Sequence, residues 1–247
     1  MGPRDAIVEI GSGPGALSER ILRYGAQLMA VEKDPLFATS LERLQTEDAR
    51  LKVIQGDILD CDTSSFLPKH KQKIKVVANL PYQITTPILI KLLPLYEEIQ
   101  TLTLMVQYEV ALRLFAEKGS KDYSSLTLFL RYYAEPISFF KVKPTSFFPV
   151  PGVHSAVVQI RLKKPPELPP EDFFAVTRSA FGQRRKMIRV GLKQIRTSEE
   201  IEAACTLSGI SSTMRPQDLG FDDFLRLACA LKRIPPTISS PPKPKKS

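Results

Sequence analysis

The sequence predicts an α/β fold: a mostly parallel, doubly wound sheet with an antiparallel edge, followed by a small C-terminal all-α domain. Three observations predict it. Short β-branched runs alternate with amphipathic stretches through the first half of the chain, which is the pattern of strands joined by helices on both faces of a sheet. Two strand-like runs then follow one another with no helical stretch between them, as an antiparallel pair does. Beyond the proline-rich segment Lys163–Pro170 the apolar periodicity is helical throughout.

The elements read in order as follows. Ala6–Ile10 is a strand ending in glycines, and Leu17–Leu22 opens a helix. Leu28–Val31 is a second strand, Leu36–Leu44 a helix and Leu51–Ile54 a third strand. Lys75–Ala78 is a fourth strand, and Ile84–Leu93 is a helix with Pro87 in its first turn, where a missing N–H is tolerated. Leu102–Val106 and Glu109–Ala116 form the last strand–helix unit. Ile137–Val142 and Val153–Leu162 are the antiparallel pair. Helices are predicted at Phe173–Phe181, Lys186–Ile195, Glu199–Leu207 and Phe221–Leu231. The predicted domains are residues 1–165 and 171–234, with 235–247 a disordered basic tail rich in proline and lysine.

The 247 residues suffice for one sizeable core and a small second unit. No run approaches the ~18 apolar residues that a membrane helix needs. The opening Met-Gly-Pro-Arg-Asp has neither a basic leader nor a cleavable apolar segment, so the expectation is a cytoplasmic protein without membrane attachment. Cys61, Cys205 and Cys229 are odd in number and far apart, which fits a reducing compartment and no metal site. With His70 and His154 as the two histidines, neither a zinc centre nor imidazole catalysis is expected. The net charge is +9, and most of the excess lies beyond residue 170. That balance favours a polyanionic partner.

Candidate site residues fall at the ends of the predicted strands. Gly11-Ser-Gly13-Pro-Gly15 lies between the first strand and the first helix, where glycine permits a tight turn and close approach of backbone to a ligand. Glu32 ends the second strand, where a carboxylate can accept both hydroxyls of a ribose. The loop also reads G-x-G-x-x-A through Ala16, so by itself it suits a nicotinamide dinucleotide as well as S-adenosylmethionine. Gly56-Asp57 follows the third strand. Asp57 can hydrogen-bond an adenine amino group, or simply cap a turn.

Asn79-Leu80-Pro81-Tyr82 follows the fourth strand, at the carboxyl edge where doubly wound folds bind ligands. These residue types suit methylation of an aromatic amine. The lone pair of such an amine is delocalised into the ring, and two acceptors aimed at its N–H bonds favour a geometry that points the lone pair at a methyl donor. The Asn79 side-chain oxygen can be one acceptor and the Leu80 carbonyl, turned by Pro81, the other. Tyr82 can stack on the base, an interaction worth about 1–3 kcal/mol. No strong base is needed, because the donor is already activated. Catalysis then rests on alignment and electrostatics.

With these motifs in this order, the sequence resembles the rRNA adenine N6,N6-dimethyltransferase family. The resemblance rests on Val8–Gly15, Val31–Asp34, Gly56-Asp57, Asn79–Tyr82, Val106–Val110, Gly119–Tyr123 and Phe147–Ser155. Beyond the linker it rests on Ala180–Lys186 and Arg215–Leu219, so it runs from about residue 6 to 233. It implies a Rossmann-like class I methyltransferase sheet. It also implies S-adenosyl-L-methionine as cofactor and S-adenosyl-L-homocysteine as product, contacts from Gly11, Gly13, Glu32, Asp57 and Asn79 to the cofactor, and Tyr82 and Phe147 sandwiching the target adenine. The C-terminal part resembles the housekeeping small-subunit branch. That implies an immature 30S-type particle as partner, two adjacent adenosines in a 3′-terminal hairpin of 16S-type rRNA as target, and a monomeric enzyme.

Three positions depart from the family pattern. Tyr108 stands where a lysine is usual, His154 where an aspartate is common and Gly152 where a lysine is common. Relatives also carry a preceding Gln-Asn-Phe-Leu-type segment that helps cover the cofactor. This sequence starts just before the first strand, so a difference in cofactor affinity and site closure is expected.

Arg184, Arg185, Lys186, Arg189, Lys193 and Arg196 put six cations into 13 residues with no acid among them. On a helix, Arg178, Arg185, Arg189 and Arg196 would share a stripe beside Phe174, Phe181, Ile188 and Leu192, presenting charge to RNA phosphates. The competing functions are a noncatalytic ribosome-assembly or RNA-binding factor, a large-subunit rRNA adenine methyltransferase of the antibiotic-resistance type, and a nicotinamide oxidoreductase.

Overall fold

The computed structural model describes residues 2–67 and 72–235. His70, and the predicted tail from residue 236 on, lie outside them. Seven strands form one sheet: β1 (Ala6–Ile10), β2 (Gln27–Glu32), β3 (Leu51–Gln55), β4 (Ile74–Asn79), β5 (Ile99–Gln107), β6 (Ala134–Val142) and β7 (Ser155–Leu162). Their order is β3-β2-β1-β4-β5-β7-β6. The five from β3 to β5 are parallel, and β7 is antiparallel to both β5 and β6. Between the strands run α1 (Ala16–Arg23), α2 (Pro35–Glu47), α3 (Thr63–Phe66), α4 (Thr85–Leu92), α5 (Tyr108–Leu114) and α6 (Ser125–Tyr133).

Burial explains the strand sequences. In β1, Ile7, Val8, Glu9 and Ile10 are all buried, because a central parallel strand is covered on both faces. β6 is the outermost strand and leaves Ile137 and Phe140 exposed. Its Pro136 sits at an irregularity of the pairing, which suits an edge because proline donates no ladder hydrogen bond. The sequence predicts an antiparallel pair here, and the pair forms. Its order is set by the tertiary fold: β7 inserts between β5 and β6.

Two helices fall where the sequence shows no helical stretch. α3 is one turn, capped by the Asp62 carboxylate accepting from Ser64 N at 3.1 Å. α6 is rich in β-prone residues (Thr127, Phe129, Tyr132, Tyr133), and its start is marked by Ser124 N donating to the Thr127 hydroxyl at 3.1 Å.

The chain divides into two compact units. One comprises Met1–Phe115 and Leu130–Pro165, the other Ala116–Phe129 and Pro166–Ser247. The last of the three breaks, Pro165/Pro166, falls within the proline-rich linker. The segment Ala116–Phe129, however, groups with the C-terminal unit, which a linear reading of composition did not reveal. That unit contains α7 (Pro170–Gly182), α8 (Ile188–Leu192), α9 (Ser198–Ser208) and α10 (Phe221–Arg233). Phe173, Val176, Ile188, Leu192, Ile201, Phe224 and Leu227 form its buried centre. Thr197 and Glu200 make a reciprocal capping box on α9, and Gly209, at φ 69°, ends it. Among the described residues no helix is long and apolar enough to cross a membrane.

Candidate active site at the carboxyl edge of the sheet

β1 pairs with β2 on one side and β4 on the other, so the connections diverge there and leave a crevice at the carboxyl ends of β1 and β4. The glycine loop opens into it. Gly11, Gly13 and Gly15 have φ of 70°, 52° and 87°, in the left-handed region that other residues seldom adopt. A Cβ on Gly11 would lie 3.6 Å from the Asn79 carbonyl oxygen, so the loop and the end of β4 are close neighbours.

Glu32 is buried, and both of its oxygens hold backbone. One accepts from Gly13 N at 2.8 Å and the other from Asp34 N at 2.8 Å. A carboxylate offers about four lone-pair sites, so each oxygen keeps capacity for a ribose hydroxyl. Glu32 therefore shapes the loop as well as facing the crevice. β3 delivers Gly56, whose N–H donates to the Glu32 carbonyl at 2.8 Å. Asp57 follows and makes the turn that its alternative reading anticipated: its carboxylate accepts from Leu59 N and from Lys33 Nζ, both at 2.9 Å. The Lys33 ammonium and the Leu59 N–H hold that carboxyl below its usual range.

Asn79 ends β4, paired with Met105 of β5, and is exposed. Leu80 is buried beneath it, and Pro81 (φ −55°, ψ 132°) turns the chain into a short 3-10 turn, Tyr82–Ile84. The Tyr82 hydroxyl is hydrogen-bonded to Ser155 Oγ at 2.6 Å, and Ser155 is fully buried. Ser155 begins β7 and pairs with Gln107 of β5 and Val142 of β6. The connection between Val142 and Ser155 carries Phe147, half-buried, and Phe148, fully exposed. One serine thus anchors Tyr82 at the base of the loop that bears Phe147. The sequence showed the serine, but its partner lies 73 residues away and only the fold reveals it.

Glu9 was also missed. It lies one residue from the loop, 1% exposed, and accepts from Ser18 Oγ at 2.5 Å. Burial pushes its carboxyl up to about 7, against the pull of the Ser18 and Ser12 hydroxyls, and the negative Glu32 adds to the rise. An acid between Val8 and Ile10 in a strand covered on both faces was the available signal.

The basic segment departs from the helical stripe. α7 stops at Gly182, and the next helix covers only Ile188–Leu192. The reason is close packing. A Cβ on Gly191 would come within 2.8 Å of the Ser179 carbonyl, so α8 lies directly against α7 and the chain must turn between them. Arg184 is not a solvent-facing cation: half-buried, it donates to the Ser120 carbonyl at 2.9 Å. Arg185, Lys186 and Lys193 are exposed, and Arg189 is half-buried. Arg196 donates to the Leu231 carbonyl at 3.4 Å, at the end of α10.

The arrangement suits a nucleoside cofactor. Gly13 has open space where a Cβ would be, carboxylates end β2 and follow β3, and the backbone of the loop reaches the end of β4.

Comparison with known proteins agrees. The family model for ribosomal RNA adenine dimethylase matches residues 1–233. Ribosomal RNA small subunit methyltransferase A of Protochlamydia amoebophila is 42% identical over 229 residues, spanning 91% of this chain and 81% of that protein. The protein of the same name from Chlamydia muridarum is 40% identical, spanning 93% and 83%. Among solved structures, a dimethyladenosine transferase from Plasmodium falciparum superposes with a TM-score of 0.77 at 23% identity, over 94% of this chain and 92% of that one, which shows the shared fold. The 23S rRNA methyltransferase ErmE gives 0.68 at 26% identity, over 94% and 93%.

Proposed function

This chain belongs to the ribosomal RNA adenine dimethylase family, and on that premise we propose that it dimethylates the N6 amino groups of two adjacent adenosines in a 3′-terminal hairpin of small-subunit rRNA. The reaction class is that of an S-adenosylmethionine-dependent rRNA adenine dimethyltransferase. The finer reading is of a cytoplasmic monomer acting on an immature 30S-type particle. The small-subunit target is favoured because relatives at 40–42% identity carry that name, whereas ErmE is 26% identical.

One observation carries the reading: the glycine loop and Asn79 meet at the switch point between β1 and β4, with Tyr82 pinned beside them. When bound, the cofactor supplies a sulfonium-activated methyl group. Gly11 and Gly13 let the backbone approach it, Glu32 accepts from its ribose and Asp57 from its adenine. Asn79 Oδ1 and the Leu80 carbonyl accept the N–H bonds of the target amine. Tyr82, held by Ser155, and Phe147 stack on the base. Arg185, Lys186, Arg189 and Lys193 attract RNA phosphates, with Arg184 bracing the segment that presents them.

The test is methyl transfer from S-adenosylmethionine to immature small-subunit particles, read by mass spectrometry of the rRNA. N6,N6-dimethyladenosine is the expected product. Binding to the particle without any methylated adenine would overturn the reading in favour of a noncatalytic assembly factor. The double variant Arg185→Glu, Arg189→Glu is expected to weaken RNA binding at least about tenfold at 0.1 M salt, since association is dominated by phosphate contacts. Its cofactor affinity should be unchanged by calorimetry. Equal loss of both affinities, or of neither, counts against these cations as the RNA contact.

A further inference from the structure

The carboxyl ends of β2 and β3 are bridged by an ion pair. Lys33 Nζ donates to Asp57 Oδ2 at 2.9 Å. The sheet brings the two residues together. Glu32 pairs with Gln55 across the β2–β3 ladder, and Gly56 N donates to the Glu32 carbonyl at 2.8 Å. Lys33 is the next residue after Glu32, and Asp57 the next after Gly56. A nucleoside whose ribose is held by Glu32 therefore has its base at this pair.

The two partners differ in freedom. Asp57 is locked into its turn. Its Oδ1 accepts from Leu59 N at 2.9 Å, and its carbonyl accepts from Asp60 N at 3.0 Å and from Cys61 N at 2.9 Å. Lys91 of α4 braces the same turn by donating to the Leu59 carbonyl at 2.9 Å. The Lys33 side chain is 75% exposed, against 23% for Asp57. The ammonium, on a flexible four-carbon stem, is thus the movable half of the pair. The consequence is a competition. Oδ1 is committed to the turn, Oδ2 is the oxygen left for the amino group of an adenine, and Lys33 holds Oδ2.

We propose that Lys33 is a latch on the adenine subsite: its ammonium competes with the cofactor's adenine amino group for Asp57 Oδ2, and the need to displace it lowers the affinity of this chain for the cofactor. The proposal rests on the reading of Asp57 as the adenine contact. An exposed ion pair shifts an equilibrium by no more than about fivefold, so the latch tunes affinity and does not block the site.

The probe is S-adenosyl-L-homocysteine, which lacks the sulfonium charge and whose amine and carboxylate cancel, so its own attraction to the protein depends little on salt. Affinity is measured by calorimetry from about 0.01 M to about 1 M salt, over which the screening length falls from about 30 Å to about 3 Å. Lys33→Ala is expected to bind the probe about threefold more tightly than the wild type at the low end and equally at the high end, where salt opens the pair. Lys33→Arg is expected to bind about threefold more weakly at low salt, because a guanidinium grips a carboxylate more firmly than an ammonium does. Weaker or unchanged binding by Lys33→Ala at low salt overturns the latch. So does a gain that persists at high salt, which reports packing rather than charge, and so does Lys33→Arg binding as tightly as Lys33→Ala. Asp57→Asn keeps an acceptor for Leu59 N and puts a donor in place of Oδ2. Its affinity for the probe is expected to fall about tenfold, the cost of losing a hydrogen bond to a charged acceptor. No loss in Asp57→Asn sinks the adenine contact together with the latch, whereas a loss there with no gain in Lys33→Ala sinks the latch alone.

Discussion

Asn79→Ala is expected to lower kcat by about 10²–10³-fold, the cost typical of removing one preorganised group that acts on the reacting centre. The fold should be unaffected. Asn79 is exposed at the last position of β4, and its contribution to the sheet is backbone pairing, which alanine keeps. Exposed substitutions of this kind change stability by about 0.5 kcal/mol or less, so the melting curve should superpose on the wild type. Cofactor affinity should fall far less than turnover, because Gly11, Gly13, Glu32 and Asp57 remain. Single-turnover methylation of immature small-subunit particles, with product read by mass spectrometry, checks it. Full formation of dimethyladenosine by the variant would remove Asn79 from the chemistry and with it the two-acceptor scheme.

The second large effect concerns Glu9 and appears in stability. Its carboxyl has an ordinary value of 4.5 and is raised to about 7 in the folded protein, chiefly by burial. The folded state therefore holds the proton more tightly than the unfolded one. This favourable contribution is fully present below pH 4.5 and is lost as pH rises through about 7. At roughly 1.4 kcal/mol per unit, ionising Glu9 in place costs on the order of 3 kcal/mol at pH 8. Glu9→Gln keeps the shape and still accepts from Ser18, but it cannot ionise. Its melting temperature should exceed that of the wild type by several degrees at pH 8, and the gap should shrink to about a quarter of that by pH 5 and close below pH 4.5. An equal gap at both pH values would show that burial of charge is not what Glu9 costs the fold. The site then retains this acid for its place beneath the glycine loop, where Ser18 of α1 hydrogen-bonds to it.

Tyr82 shows how far local reading reaches. Its tetrapeptide could be recognised because each residue type has a local meaning: an amide acceptor, a turn and an aromatic face. What holds the ring in place is Ser155, and no local pattern pairs a turn after β4 with the first residue of β7, 73 residues on. Arg184 shows the converse. Composition treats it as one of several equivalent cations, whereas in the folded chain its guanidinium braces the Ser120 carbonyl. The basic stripe over residues 178–196 is broken because Gly191 packs on the backbone of Ser179 and Ala180, a contact between two helices that helical periodicity does not anticipate.

The sequence by itself determined the α/β class, the order of strands along the chain, the glycine loop, the acids at the ends of β2 and β3, and the Asn-Leu-Pro-Tyr turn. All are carried by short-range physics: alternation of apolar residues, freedom of glycine at positive φ and the missing N–H of proline. Only the tertiary structure decided that β7 lies between β5 and β6, that Ser155 pins Tyr82, that Glu32 is shared with the loop it faces, that Glu9 is buried with its carboxyl pushed up to about 7, and that Lys141 rests on Tyr108. Each of these depends on groups far apart in the chain being brought within a few ångströms. The energies of burial, hydrogen bonding and charge are set by those distances, and the linear sequence does not contain them.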